Sequence, residues 1–186
     1  MNNTTLANPA PLGLMGFGMT TILLNLHNIG LFDMDAIILA MGIFYGGIAQ
    51  IFAGLLEFKK GNTFGLTAFT SYGSFWLTLV AILLLPKLGL ADEVDGRFFG
   101  AWLALWGIFT LFLFFGTLKA PKMLQFVFAS LTLLFALLAI GHLTDSAALL
   151  RIAGWVGIVC GVSAFWLAMG EVLNEKFGRT VLPTGE

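Results

Sequence analysis

Residues 61–86, GNTFGLTAFTSYGSFWLTLVAILLLP, run for 26 residues without one Asp, Glu, Lys or Arg. An α-helix rises about 1.5 Å per residue and about 20 apolar residues cross the ~30 Å hydrocarbon core of a bilayer, so this stretch predicts a membrane-spanning helix. Five more charge-free stretches lie around it, at 1–32, 36–56, 98–118, 123–144 and 152–170. Trimming loop residues from each predicts helices at about 12–28, 36–56, 64–85, 98–116, 123–141 and 147–170. Inside lipid only helices and closed barrels satisfy the backbone, and the short two-residue alternation of a barrel strand is missing here. The expected fold class is an all-α polytopic membrane protein of six transmembrane helices. They form a single transmembrane domain over 1–186, with loops too short for a second, soluble domain.

Composition agrees with the spans. Of the 186 residues 59% are apolar, 23 more are Gly and only 10% are charged, with a mean hydropathy of +0.96. A soluble domain carries about 25% charged residues, so that class is excluded. Nine Lys and Arg against ten Asp and Glu, with no basic run longer than Lys59-Lys60, leave no face for nucleic acid. Cys160 is the single cysteine and no Cys/His spacing suits a metal, so neither a disulfide nor a metal centre is expected. No other cofactor is expected.

No Lys or Arg precedes the first span, and NPAP interrupts the place where a signal peptide carries its basic region, so that span reads as a mature helix. Counting basic residues on alternate sides gives Lys59, Lys60, Lys119, Lys122, Lys176 and Arg179 on the side of both termini, against Lys87, Arg97 and Arg151 on the other. The excess predicts that both termini are cytoplasmic.

Membrane transport proteins are often built from repeats. Gly47-Ile48-Ala49-Gln50, Gly107-Ile108-Phe109-Thr110 and Gly157-Ile158-Val159-Cys160 register on one another in the even spans. Gly16-Phe17-Gly18, Ser71-Tyr72-Gly73 and Ser130-Leu131-Thr132 then register in the odd spans, each a small, a bulky and a small residue. The pattern predicts three helical hairpins around a pseudo-threefold axis, with the odd helices inside. Polarity points the same way. Span 1 carries Thr20, Thr21 and Asn25, span 3 has Thr67, Thr70, Ser71, Tyr72, Ser74 and Thr78, and span 5 has Gln125, Ser130 and Thr132. Hydroxyls facing lipid cost energy, so these helices face each other or water, or each hydroxyl bonds the carbonyl four residues back in its own helix.

No Asp, Glu, Lys or Arg sits mid-span, although proton pumps and cation carriers bury one as a relay. His27 and His142 fall at helix ends, and Glu171 at the end of span 6. A solute crossing here meets neutral donors only, which favours a small one that brings its own proton. At 8–14, NPAPLGL, Asn8 suits an N-cap and Pro9 a first helical position, which leaves first-turn N–H groups at the mouth facing a carboxylate, or simply a capped helix start.

NPAPLGLMGFG at 8–18, YGGIAQ at 45–50, GNTFGLTAFTSYGSFW at 61–76 and AGWVG at 153–157 resemble the acetate uptake transporter family, bacterial succinate–acetate permeases and their fungal relatives, across essentially the whole chain. That resemblance implies uptake of acetate, and of succinate, across the bacterial inner membrane, by proton symport or through an anion channel. It also implies a fold like that of the acid-activated urea and amide channels: six helices and a pore per protomer, in a homo-hexamer whose centre is filled by membrane lipid. Carried onto this sequence, it places Phe17, Tyr72 and Leu131 at the pore constriction. Thr20, Thr70, Ser71 and Ser130 lie near that level as hydrogen-bond donors to a carboxylate, with Gln50 and Asn8 as further substrate-binding candidates. An apolar waist excludes hydrated ions, so acetate is expected to cross protonated. Two rivals remain: a neutral-solute channel for urea, amides or ammonia, and a membrane scaffold or lipid enzyme. No Ser/His/Asp set or carboxylate pair lies at one membrane level, so no catalytic residue is expected.

Overall fold

The computed structural model describes residues 6–185, so the two ends of the expected domain, 1–5 and 186, lie outside the described residues. Six helices follow in order: α1 Ala10–Asn28, α2 Ala36–Lys59, α3 Thr63–Leu84, α4 Gly96–Gly116, α5 Lys122–Leu143 and α6 Ala147–Phe177. No strand occurs among the described residues. Helices α2 to α6 are each long and apolar enough to cross a bilayer. α1 has 19 residues, with Asn25, His27 and Asn28 in its last turns.

Polar residues open four of the helices, as unpaired first-turn N–H groups require. Asp35 accepts from Ile37 N at 2.8 Å, Asn62 from Gly65 N at 3.1 Å, Asp95 from Phe98 N at 2.8 Å and Ser146 from Leu149 N at 3.4 Å. The start of α1 departs from expectation: Ala10 is its first residue and Pro9 its N-cap, one position later than an Asn8 cap requires. Asn8 Oδ1 still accepts from Ala10 N, at 3.3 Å. α6 also runs beyond the expected residue 170 to Phe177, because helix continues past the apolar stretch until Gly178 takes a left-handed φ of +62°. Within α2, Gly42–Ala49 winds as a π-helix, a wider coil than sequence periodicity reveals.

Small residues let the helices approach. Gly47 of α2 packs on Leu77 of α3, Gly107 of α4 on Phe135 of α5, and Gly157 of α6 on Asn25 of α1. The same register position of each even helix therefore meets the next odd helix around the ring. α3 and α4 make little backbone contact and are joined by long side chains instead: Phe75 stacks on Trp102 with centroids 5.0 Å apart and planes 7° from parallel. At one end of the bundle residues after Gly178 fold back over α5 and α6. Asn174 Oδ1 accepts from Val181 N at 2.6 Å and Leu182 N at 3.0 Å. The carbonyls of Gly185 and Thr184 accept from Lys122 N at 2.9 Å and Met123 N at 3.0 Å, capping α5, which has no side-chain cap of its own.

Candidate transport path

The odd helices α1, α3 and α5 enclose three cavities in line. The first, about 90 Å³, opens beside Asn62 and Glu171 at the end of the bundle that holds Asn8 and the folded-back tail. The second is a small chamber of about 30 Å³ at mid-bundle. The third, about 190 Å³, opens beside His27, Asn28 and His142 at the opposite end. Phe17, Tyr72 and Leu131 line both the first cavity and the chamber, so these three side chains, one from each odd helix, form the wall between them. All three are buried, and the Phe17 and Tyr72 rings lie 6.1 Å apart between centroids.

Tyr72 is fixed from behind by α4. The Thr110 hydroxyl donates to Trp106 O at 2.7 Å, so it accepts from the Tyr72 phenol at 2.9 Å. Phe109 meets the Tyr72 ring edge-on at 5.8 Å and Trp106 lies 6.2 Å away. Replacing Tyr72 with Phe removes one buried hydrogen bond and leaves the ring in place. The expected result is a loss of about 1 kcal/mol of stability, read as a lower melting temperature in detergent. Replacing it with Ala also removes the ring and opens the wall.

The hydroxyl candidates behave differently from the triad. None of Thr20, Thr70, Ser71, Ser130, Gln50 or Asn8 lines the three cavities. Thr20 is fully buried and turned to α2, with its hydroxyl 3.5 Å from Met41 O. Gln50 is buried near Gly16 of α1, and the Thr70 hydroxyl rests on Gly54; neither Gln50 Oε1 nor Thr70 Oγ1 has a hydrogen-bond partner. Ser130 donates to Phe126 O at 2.7 Å and Val127 O at 3.0 Å of its own helix. Ser71 is half-buried, about 100° around α3 from Tyr72. Asn8 donates to Glu171 Oε2 at 2.7 Å and accepts from Lys60 Nζ at 3.0 Å, so it sits beside the first cavity through Glu171. Ser130 bonds its own helix and the Thr70 hydroxyl packs into the notch at Gly54, so these side chains lie at helix seams rather than along the cavities.

The cavities are therefore mostly walled by apolar and aromatic side chains. The polar exceptions in the chamber are Thr21 and Asn25, one and two turns along α1 from Phe17. Asn25 donates to Thr21 O at 2.8 Å, while the buried Thr21 hydroxyl has no partner. A periodicity of four from Phe17 would have selected both. Sequence reading also missed Glu57, which is fully buried behind Gly65 and accepts from Asn62 Nδ2 at 2.8 Å. It lies one residue beyond the charge-free span.

The chain is similar to known proteins over its full length. It is 76% identical over 186 residues to the succinate-acetate/proton symporter SatP of Escherichia coli strain K12, covering 100% of this chain and 99% of that protein. It is 33% identical to acetate permease A of Emericella nidulans, over 95% of this chain and 65% of that protein. A solved structure of the bacterial acetate channel SatP superposes with a TM-score of 0.97 at 76% identity, over 97% of this chain and 100% of that one. The family model described as GPR1/FUN34/yaaH matches residues 1–185, and the chain belongs to that family of membrane transport proteins.

Proposed function

We propose that the protein carries acetic acid, and succinic acid less readily, across a bacterial inner membrane along the three aligned cavities, with the proton travelling on the substrate. The observation that carries this reading is the wall of Phe17, Tyr72 and Leu131 between two cavities, with no charged side chain at its level. A dry apolar waist rejects hydrated ions and admits a neutral acid. The names of the relatives, a succinate-acetate/proton symporter and an acetate permease, support the substrate class. Both termini face the cytoplasm on the count of basic residues, so the first cavity is the inner vestibule and the third the outer one. We read the described residues 6–185 as one transmembrane domain. The repeated contact of Gly47, Gly107 and Gly157 with the next odd helix supports three hairpins about a pseudo-threefold axis. Exposed rings such as Phe112, Phe115 and Trp155 suit lipid and the other subunits of a homo-hexamer.

Labelled-acetate flux into proteoliposomes tests the reading, with pH gradient, voltage and competing succinate varied separately. Phe17→Ala and Tyr72→Ala are expected to raise flux or relax selectivity; unchanged behaviour in both removes the triad from the path. Proton uptake is expected only when acid substrate is present, and proton flux without it would show that the substrate is not the carrier. The uncharged path also suits a neutral amide, so acetamide competing fully with acetate would favour a neutral-solute channel.

A further inference from the structure

Leu24, Phe75 and Leu138 line both the central chamber and the outer vestibule, so they stand between those two cavities as Phe17, Tyr72 and Leu131 stand between the chamber and the inner one. Again each odd helix gives one residue. Leu24 and Leu138 lie seven residues, two helical turns, beyond Phe17 and Leu131, and Phe75 lies three beyond Tyr72, so each falls on the pore-facing side of its helix. Phe75 is clamped as Tyr72 is, between Trp102 in a stack at 5.0 Å and Trp106 and Phe135 edge-on at 5.2 and 5.4 Å. The chamber between the two triads, about 30 Å³, has room for about two water-sized spheres. The buried Thr21 hydroxyl in its wall has no hydrogen-bond partner.

From this geometry we propose that Leu24, Phe75 and Leu138 form a second gate in series with the first. The two gates confine the chamber to one small acid at a time and set the size limit against four-carbon diacids. The proposal rests on the path described under the proposed function. Two apolar constrictions in series interrupt a water column twice, which keeps a proton leak low while either one is open. A larger solute must part both triads together, because it is too long to rest between them.

Barriers in series make a distinctive pattern. While the inner triad limits flux, Leu138→Ala alone changes acetate uptake little. Once Leu131→Ala removes that limit, adding Leu138→Ala is expected to raise succinate uptake at least about threefold over Leu131→Ala alone, and acetate uptake less. Equal uptake by the double and single variants would overturn the second gate. Failure of Leu131→Ala to raise flux would instead count against the path itself. A labelling experiment needs no transport. Leu134 lines the chamber and belongs to neither triad. Leu134→Cys in a Cys160→Ala background is treated with Ag⁺, a thiol-reactive ion close to water in size that does not cross the bilayer, in right-side-out and inverted vesicles separately. Labelling from the outer side is expected to quicken about tenfold on adding Leu138→Ala, and from the inner side to stay the same. A rate unaffected on both sides, or already fast with Leu138 present, overturns the proposal. Leu138→Val, which keeps more of the packing, serves the same comparison if the alanine variant unfolds.

Discussion

Acetate flux is expected to fall about tenfold for each unit by which outer pH rises above about 5.5, since a carboxylic acid of this kind titrates near the ~4.3 of a free Glu side chain. The sign follows from the species that crosses. Below a pH of about 4.3 most of the substrate is neutral and flux saturates; from about a unit above the pKa the neutral fraction drops by a factor of ten per unit. Between pH 5.5 and 7.5, at constant total acetate, the expected loss is about a hundredfold. Acetamide, similar in shape and with no carboxyl proton to lose, is expected to give a flat profile in the same vesicles. That control separates loss of the permeant species from inactivation of the protein. An acetate profile as flat as that of acetamide would mean that the anion itself passes Phe17, Tyr72 and Leu131. A waist without a fixed cation offers it nothing in exchange for its hydration shell.

The second large effect concerns the fold. Gly18→Val and Gly161→Val are each expected to abolish a monodisperse, folded protein in detergent. A Cβ on Gly18 would lie 2.8 Å from Gly161 O and 3.0 Å from Phe165 N, and a Cβ on Gly161 would lie 2.8 Å from Gly18 O. These obstacles are backbone, so no rotamer change relieves them, and α1 and α6 must move apart. In lipid, close helix approach through small residues is a main source of association energy. The expected cost is about 3 kcal/mol or more, at the upper end of overpacking. Phe17 neighbours Gly18, so any displaced but folded population also has a misplaced wall residue. Gly96→Ala is the control: its added Cβ meets nothing within 4 Å, and thermal melting is expected to be unchanged or slightly raised. Normal melting of both valine variants would show that the α1–α6 seam is looser than these distances.

The spans were legible because charge is so costly in hydrocarbon that its absence marks them, and all six expected segments are helical. Their ends were less legible. α6 continues through Glu171, Glu175 and Lys176, since charge ends a span but not a helix. The π-helical stretch at Gly42–Ala49 left no mark, because the run GIFYGGIA is apolar throughout and carries no polar face to set a period. At the site, the family resemblance, with the register of the odd helices, pointed to Phe17, Tyr72 and Leu131, the three residues shared by two cavities. The accompanying hydroxyls could not be oriented from sequence. Ser130 and Thr132 bond carbonyls in their own helix, at 2.7 and 2.8 Å, and one residue, about 100° of rotation, separates a seam from a pore. The second triad was hidden for the opposite reason: Leu and Phe are the commonest residues of any buried face, and only the cavities single them out.

The folded-back tail has a practical consequence for handling the protein. The last described residue, Gly185, is hydrogen-bonded to the start of α5, and Thr184 is buried against Gly170. A purification tag fused directly there would pull on the helix that carries Leu131, whereas one joined through a flexible spacer, or placed ahead of Asn8, would leave that seam unstressed.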